Sequence, residues 1–255
     1  MLKELPNNCI KFAGDPKITF FQALDEGGKF VKAHPQSSFS VIFDSITNQV
    51  ELHLERVAVR KDYPDLFGSG DIPGYLTEPD MYAIEQLVKK LPNNGTVVEV
   101  GTFLGKSAVE WACNIAKQNK NYKIICIDSF TSPIEILQDL LKTADFVVPT
   151  SNSHIDMFRY YTKDYSNIIA LEAFFNEEFE FNQKIDLVFE DSDHTQKTLS
   201  HALPFWWNKI KEGGILSGHD YWIRDVKTTV DTFAVLNDLE IKLFPKSSIW
   251  YIEKY

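Results

Sequence analysis

Val97-Val98-Glu99-Val100-Gly101-Thr102-Phe103-Leu104-Gly105-Lys106-Ser107 is the stretch whose reading decides the fold. Apolar, β-branched residues give a buried strand, the glycines give a turn, and Lys106-Ser107 opens a helix. Such a turn brings backbone N–H groups and a helix N-terminus close to a ligand. The stretch ends in Gly-Lys-Ser like a phosphate-binding P-loop, but that motif needs four residues between its glycines. Only three lie between Gly101 and Gly105, and Val100 stands where the first glycine should be. The dinucleotide fingerprint G-x-G-x-x-G fails as well, because Phe103 holds the second glycine position. What remains is an acidic residue followed by G-x-x-x-G at the end of a strand.

Outward from this turn the chain alternates between helix and strand. Thr77 and Asp80 form a capping-box pattern with Pro79 in the first turn, opening a helix to about Leu91. The strand Thr96–Val100 follows, then a helix over Lys106–Lys117 with Ala108, Trp111, Ala112 and Ile115 at helical spacing. Lys123–Ile127 reads as a strand ending at Asp128. Ser132-Pro133-Ile134-Glu135 caps a helix to about Lys142, and His154–Thr162 reads as another. Strands are expected at Ile168–Leu171 and Ile185–Phe189, a helix at Thr195–Ile210, and a strand at Ile215–Ser217 introduced by Gly213-Gly214. A helix over Val226–Leu239 and closing strands Ile241–Phe244 and Ile249–Glu253 complete the chain. Strands separated by helices imply an α/β fold, a parallel sheet with helices on both faces. In such sheets ligands bind beyond the carboxyl ends of the strands.

Residues 1–75 read differently. Phe39–Phe43 and Val50–Val59 look like strands joined by a hairpin loop, and Lys61–Tyr75 reads as a long loop. The chain therefore divides into a β-containing extension, 1–75, and a main domain, 76–255. The extension is expected to be a lid, a substrate cover or an oligomer contact, so a homo-oligomer stays open.

Composition narrows the function. The chain has 255 residues, 44% apolar and 24% charged, as in a globular protein. Its formal net charge of −10 gives little attraction to phosphate, which argues against a nucleic-acid partner. No run is apolar enough for a membrane span and the N-terminus lacks a signal-peptide core, so no membrane partner and a cytoplasmic location are expected. The three cysteines, Cys9, Cys113 and Cys126, are read as reduced thiols.

The strand ends carry the candidate chemistry. Glu99 is placed to meet a ligand ammonium or to order the glycine turn. Asp128 lies at the distance after the turn at which an acidic residue binds both ribose hydroxyls of a nucleoside. Glu190-Asp191-Ser192-Asp193-His194 puts four ionisable residues in five positions after an apolar strand, so a cation among them or shifted pKa values are expected. Ser217-Gly218-His219-Asp220-Tyr221 ends the neighbouring strand, and Asp191, His219 and Asp220 together suit a divalent cation such as Mg2+. His194 has the ordinary pKa of a general base. Tyr63, Phe67, Tyr75, Trp222 and Trp250 are either lining for an acceptor or packing. His34, His53, His154 and His201 are read as surface or satisfied residues.

Several blocks resemble the bacterial class I, Rossmann-like S-adenosylmethionine-dependent methyltransferases of the macrocin O-methyltransferase type. They are Ile72-Pro-Gly-Tyr-Leu76, Val98-Glu-Val-Gly-Thr-Phe-Leu-Gly-Lys-Ser107, Ile125-Cys-Ile-Asp128, Ile185-Asp-Leu-Val-Phe-Glu-Asp-Ser-Asp-His-Thr195 and Gly213-Gly-Ile-Leu-Ser-Gly-His-Asp-Tyr221. The resemblance implies a seven-stranded, mostly parallel sheet with its last strand antiparallel. It implies S-adenosylmethionine as cofactor, held by Tyr75, Glu99, Gly101, Thr102, Phe103, Gly105, Ser107, Asp128, Phe174 and Asp191. It further implies Asp191 and His194 as catalytic residues and Asp191, His219 and Asp220 as metal ligands. O-methylation of a small hydroxylated, sugar-like or secondary-metabolite acceptor follows. Two departures stand out: Phe174 lies where the family reads the adenine amino group, and Ser192 replaces a glycine. They keep a rival open, a non-catalytic nucleoside binder of the same fold, while Phe103 counts against a nicotinamide-dependent oxidoreductase.

Overall fold

The computed structural model describes residues 3–4, 9–12, 37–44 and 49–56 as strand backbone, together with residues 72–143 (backbone only at 139, 140, 142 and 143), 149, 151–176 and 178–255. Tyr63, Phe67, the side chains of His34 and His53, and the loop expected before residue 72 lie outside the described residues.

Strands β1 (Lys3–Glu4), β2 (Cys9–Phe12), β3 (Ser37–Asp44) and β4 (Gln49–Arg56) form an antiparallel sheet in the order β1-β2-β4-β3. β3 and β4 pair from Ser37↔Arg56 to Asp44↔Gln49, the hairpin that the sequence suggested. The two short strands before it had no legible periodicity.

The second sheet has seven strands in the order β10-β11-β9-β8-β5-β6-β7. Its elements run α1 (Glu78–Lys90), β5 (Asn94–Val100), α2 (Lys106–Lys117), β6 (Asn121–Asp128), α3 (Ile134–Thr143), α4 (His154–Thr162), β7 (Ile168–Glu172), β8 (Ile185–Glu190), α5 (Gln196–Lys209), β9 (Ile210–Gly218), α6 (Arg224–Leu236), β10 (Lys242–Leu243) and β11 (Trp250–Glu253). β5 to β9 pair in parallel, and β11 runs antiparallel to both of its neighbours. This is the Rossmann-like sheet with a reversed last strand. Among the described residues, no helix is long and apolar enough to cross a membrane.

Both faces of the sheet are apolar because both are covered. All six residues of β8 are buried, the continuous pattern of a central parallel strand. Val97, Ile124, Leu187 and Phe189 pack against Ile84, Leu87, Trp111 and Ile115 of α1 and α2. Val98, Val100, Ile127, Val188 and Leu216 pack on the other face against Leu199, Leu203 and Trp206 of α5 and Val230 of α6. Trp250 is fully buried in this core, so it packs rather than lines an acceptor pocket.

One boundary moved for a physical reason. The sequence starts a strand at Ile215, whereas β9 starts at Ile210. The partner register shifts from Ile185↔Ile210 to Leu187↔Ile215, and Gly213 has φ +78°. The two glycines are therefore a bulge inside a longer strand, not its entry.

Register aligns the strand ends. Val100 pairs with both Ile127 and Glu190, and Glu190 with Gly218. The residues that follow, from Gly101, Asp128, Asp191 and His219 onward, consequently emerge along one edge.

Candidate functional site

The glycine turn after β5 is held from below and from the side. Gly101 has φ +83°, Phe103 +49° and Gly105 +90°. A left-handed phenylalanine is uncommon and is retained only where its surroundings fix it. A Cβ at Gly101 would collide with the Asp191 carbonyl oxygen and come within 2.6 Å of Ser192 Cα. A Cβ at Gly105 would meet Thr162 Cγ2 at 2.6 Å. Glycine at these two positions thus lets the loop after β8 and helix α4 close on the turn.

Asp128 binds the turn directly. Its Oδ2 accepts from the backbone N–H of Thr102 and of Phe103, both at 3.0 Å, and its Oδ1 accepts from Phe130 N–H at 2.8 Å. Gly101 N–H donates to Ile127 O at 2.8 Å and Gly105 N–H to Thr102 O at 2.8 Å. Four of the turn's N–H groups are therefore committed within the protein. Since each carboxylate oxygen can accept two bonds, Asp128 Oδ1 keeps one acceptor position.

Glu99 is fully buried beneath the turn. It accepts from Ser107 Oγ through a short bond, from Thr102 Oγ1 at 3.0 Å and from Cys126 Sγ at 3.6 Å. Burial pushes its carboxyl up to about 8, with the Asp191 charge adding to the rise and the Ser107 and Thr102 bonds opposing it. Of the two readings from sequence, the structure shows the bracing one: Glu99, Thr102 and Ser107 tie strand, turn and α2 together.

A second group gathers where β8 and β9 end. Asp191, His219 and Asp220 each offer a ligand atom, and these atoms lie within 4.8 Å of one another. His219 Nδ1 is 3.3 Å from Asp220 Oδ1 and 3.6 Å from Asp191 Oδ1. His194 Nε2 is 3.0 Å from Asp220 Oδ2 and 3.8 Å from Asp191 Oδ1. Asp220 has φ +57°, a conformation that aspartate tolerates, and it places consecutive side chains on the same small region. Asp191 N–H donates to Val100 O at 2.8 Å, so this group abuts the glycine turn.

Its electrostatics are those of charges confronting one another. Burial raises the Asp191 carboxyl, against the lowering effect of the two imidazoles. Burial would raise Asp220 too, but His219 and His194 hold it well below the usual carboxylate range. Burial alone would lower His219, yet Asp220, Asp191 and Asp80 push it well above an ordinary histidine. Asp191 and Asp220 push His194 up to about 10. The ordinary pKa assumed for His194 therefore does not apply: as arranged here, its imidazole keeps its proton at neutral pH.

The donor set fits a hard divalent cation: two carboxylates and one imidazole converge, and among the described residues the buried Nε2 atoms of His194 and His219 have no aligned hydrogen-bond partner. The remaining candidates are placed apart from this packing. Tyr75 is 81% exposed, beside Gly74, whose carbonyl accepts from Lys106 Nζ at 3.3 Å at the start of α2. Phe174 is 72% exposed, while Phe175 stacks on Trp206.

Three further polar residues pack at this edge. His154, taken as a surface or satisfied residue, is buried, and its Nε2 lies 3.0 Å from Phe103 O. Glu190 is buried, accepts from Ser192 Oγ, and burial pushes its carboxyl up to about 7. Asp80, read only as a cap, is buried with Oδ2 3.3 Å from His219 Nε2. A capping box was the sole signal at Asp80, and it carried no hint of a second partner.

Residues 98–221 match the family described as a methyltransferase domain. No curated protein matches the chain in sequence. Among solved structures, the O-methyltransferase NovP is similar at a TM-score of 0.51 and 17% identity, over 77% of this chain and 88% of that one. The TDP-rhamnose 3'-O-methyltransferase CalS11 has a TM-score of 0.48 at 15% identity, over 68% and 76% of the two chains. A precorrin-6y C5,15-methyltransferase from Geobacter metallireducens has a TM-score of 0.48 at 12% identity, over 69% and 87%. Residues 98–221 thus carry the methyltransferase-domain match, and the seven-stranded fold around them is shared with the O-methyltransferase NovP.

Proposed function

We propose that the chain is an S-adenosylmethionine-dependent O-methyltransferase acting on a small hydroxylated acceptor, with a divalent cation held by Asp191, His219 and Asp220. The observation that carries this reading is the convergence of those three residues directly against the glycine turn. The shared fold with NovP, itself an O-methyltransferase, accords with it.

In this reading the glycine turn and the spare acceptor position of Asp128 take the nucleoside. Tyr75 and Phe174, exposed and unpacked, are available to lie against it. The cofactor supplies an electrophilic methyl group, and a cation would act as a Lewis acid that lowers the pKa of the acceptor hydroxyl. Asp191 and Asp220 hold the acceptor end at the edge of β8 and β9, next to the turn, so that the reacting atoms are kept in line. His194 takes the hydroxyl proton, which requires the negative charge of Asp191 and Asp220 to be offset; otherwise the imidazole is already protonated. Ser192 leaves this arrangement intact because its hydroxyl is turned inward to Glu190.

The test is methyl transfer from S-adenosylmethionine to a panel of hydroxylated acceptors, with and without Mg2+. Formation of S-adenosylhomocysteine that requires both acceptor and cation is the expected result. Cofactor binding with no transfer to any acceptor would move the reading to a non-catalytic binder.

A further inference from the structure

We infer that Asp80, at the start of α1, is a positioning residue that orients His219 so that Nδ1 is the atom offered to the cation. The inference rests on the cation reading of the Asp191–His219–Asp220 group.

Asp80 makes more contacts than a helix cap needs. Its Oδ2 accepts from Thr77 N–H at 3.0 Å and Thr77 Oγ1 at 2.6 Å, which completes the capping box. Its Oδ1 accepts from Ser247 Oγ at 2.7 Å and Ser248 N–H at 3.0 Å, in the loop before β11. The carboxylate is thus clamped from two sides and 2% exposed. In that fixed position Oδ2 stands 3.3 Å from His219 Nε2. Among the described residues Nε2 has no aligned hydrogen bond, and both Asp80 oxygens already accept two, so Asp80 acts on it as a fixed negative charge 3.3 Å away. The opposite ring atom, Nδ1, faces Asp191 and Asp220.

An imidazole has two nitrogens, and the partner of one decides what the other can do. Metal-binding histidines give their second N–H to a carboxylate or carbonyl, which fixes ring orientation and tautomer. Asp80 stands where that partner is required. It comes from a helix packed on the sheet, not from the strand-end loops, so the ligand geometry is tied to the anchoring of α1 and of the loop before β11.

The test is Mn2+ binding to the metal-free full chain, read from the electron paramagnetic resonance of free Mn2+, with the unfolding temperature measured on each variant. Wild type is expected to bind and Asp191→Asn to lose binding. Asp80→Asn, which keeps the volume, should weaken Mn2+ by about 10–100-fold, the usual effect of losing such a partner. Asp80→Glu should recover part of that loss, and Thr77→Ala, which removes only the cap, should bind like wild type. Asp80→Asn binding as tightly as wild type would overturn the inference and leave the cation reading standing. So would equal losses in Asp80→Asn and Thr77→Ala, or no recovery in Asp80→Glu, because Asp80 would then be only a cap. Absence of Mn2+ uptake by wild type, or unchanged uptake by Asp191→Asn, would overturn the cation reading and this inference with it.

Discussion

At the end formed by β5 and β6, Asp128 meets three backbone N–H groups and Glu99 meets three side-chain donors. At the end formed by β8 and β9, Asp191 and Asp220 face two imidazoles at 3.0–3.8 Å, and among the described residues neither His194 nor His219 has an aligned bond at Nε2. The carboxylates of the first end are satisfied by backbone and side-chain donors, with one spare acceptor on Asp128. The second sets carboxylates against imidazoles. A buried polar group without a good partner is costly, so this end is the one that gains most from an added ligand. Under the proposed function, cofactor recognition by shape and cation recognition by charge would thus be separated along a single edge.

Substitutions that strike one end and spare the other sharpen this division. The largest effect is expected from Asp191→Ala, which should cut turnover by about a thousandfold, ~4 kcal/mol of barrier, while cofactor affinity falls less than in Asp128→Ala. Equal loss of cofactor binding would erase the distinction. Gly101→Ala strikes both ends at once, because the new methyl needs space occupied by the Asp191 carbonyl at a backbone angle that alanine resists. Its cost should be ~3 kcal/mol in urea unfolding, from strain and overpacking together. Asp128→Ala frees two N–H groups of the turn and should weaken S-adenosylmethionine by about 2 kcal/mol, roughly thirtyfold, with Mn2+ affinity unchanged.

The smallest effect is one of pH. Burial holds the Glu99 carboxyl up to about 8, so the folded state favours its proton. Its contribution to stability is complete below the ordinary glutamate value, about 4.3, and is lost as pH rises through about 8. Asp220 is shifted the other way, so its contribution is present at neutral pH and lost as pH falls below the ordinary aspartate range. Glu99→Gln should flatten the alkaline side of the stability curve and Asp220→Asn the acid side. Identical pH profiles for the two variants would contradict the assignment.

Sequence periodicity carried the elements whose stability is local. Lys106–Lys117 and His154–Thr162 have the boundaries expected from the sequence. The strand ends followed from alternation of helix and strand, because parallel pairing brings every carboxyl end to one edge. β9 was read short because Gly213-Gly214 has the composition of a strand entry, while only pairing with β8 reveals a bulge. The glycine end of the site was legible because its residues are contiguous or follow one crossover. Half of the charged end was legible for the same reason. The rest was hidden: Asp80 meets Ser247, Ser248 and His219 only after the sheet has assembled, and His154 meets Phe103 only when α4 packs on the turn. The shifted proton of His194 was hidden too, since it arises from two carboxylates on different strand ends.

Titration calorimetry of the full chain with S-adenosylmethionine, in the absence of any divalent cation, tests the separation most directly. The account predicts saturable binding of one molecule per chain that needs no cation and persists in Asp191→Ala but weakens in Asp128→Ala. A folded wild-type chain that takes up no S-adenosylmethionine, or that binds it only when a cation is present, would contradict it.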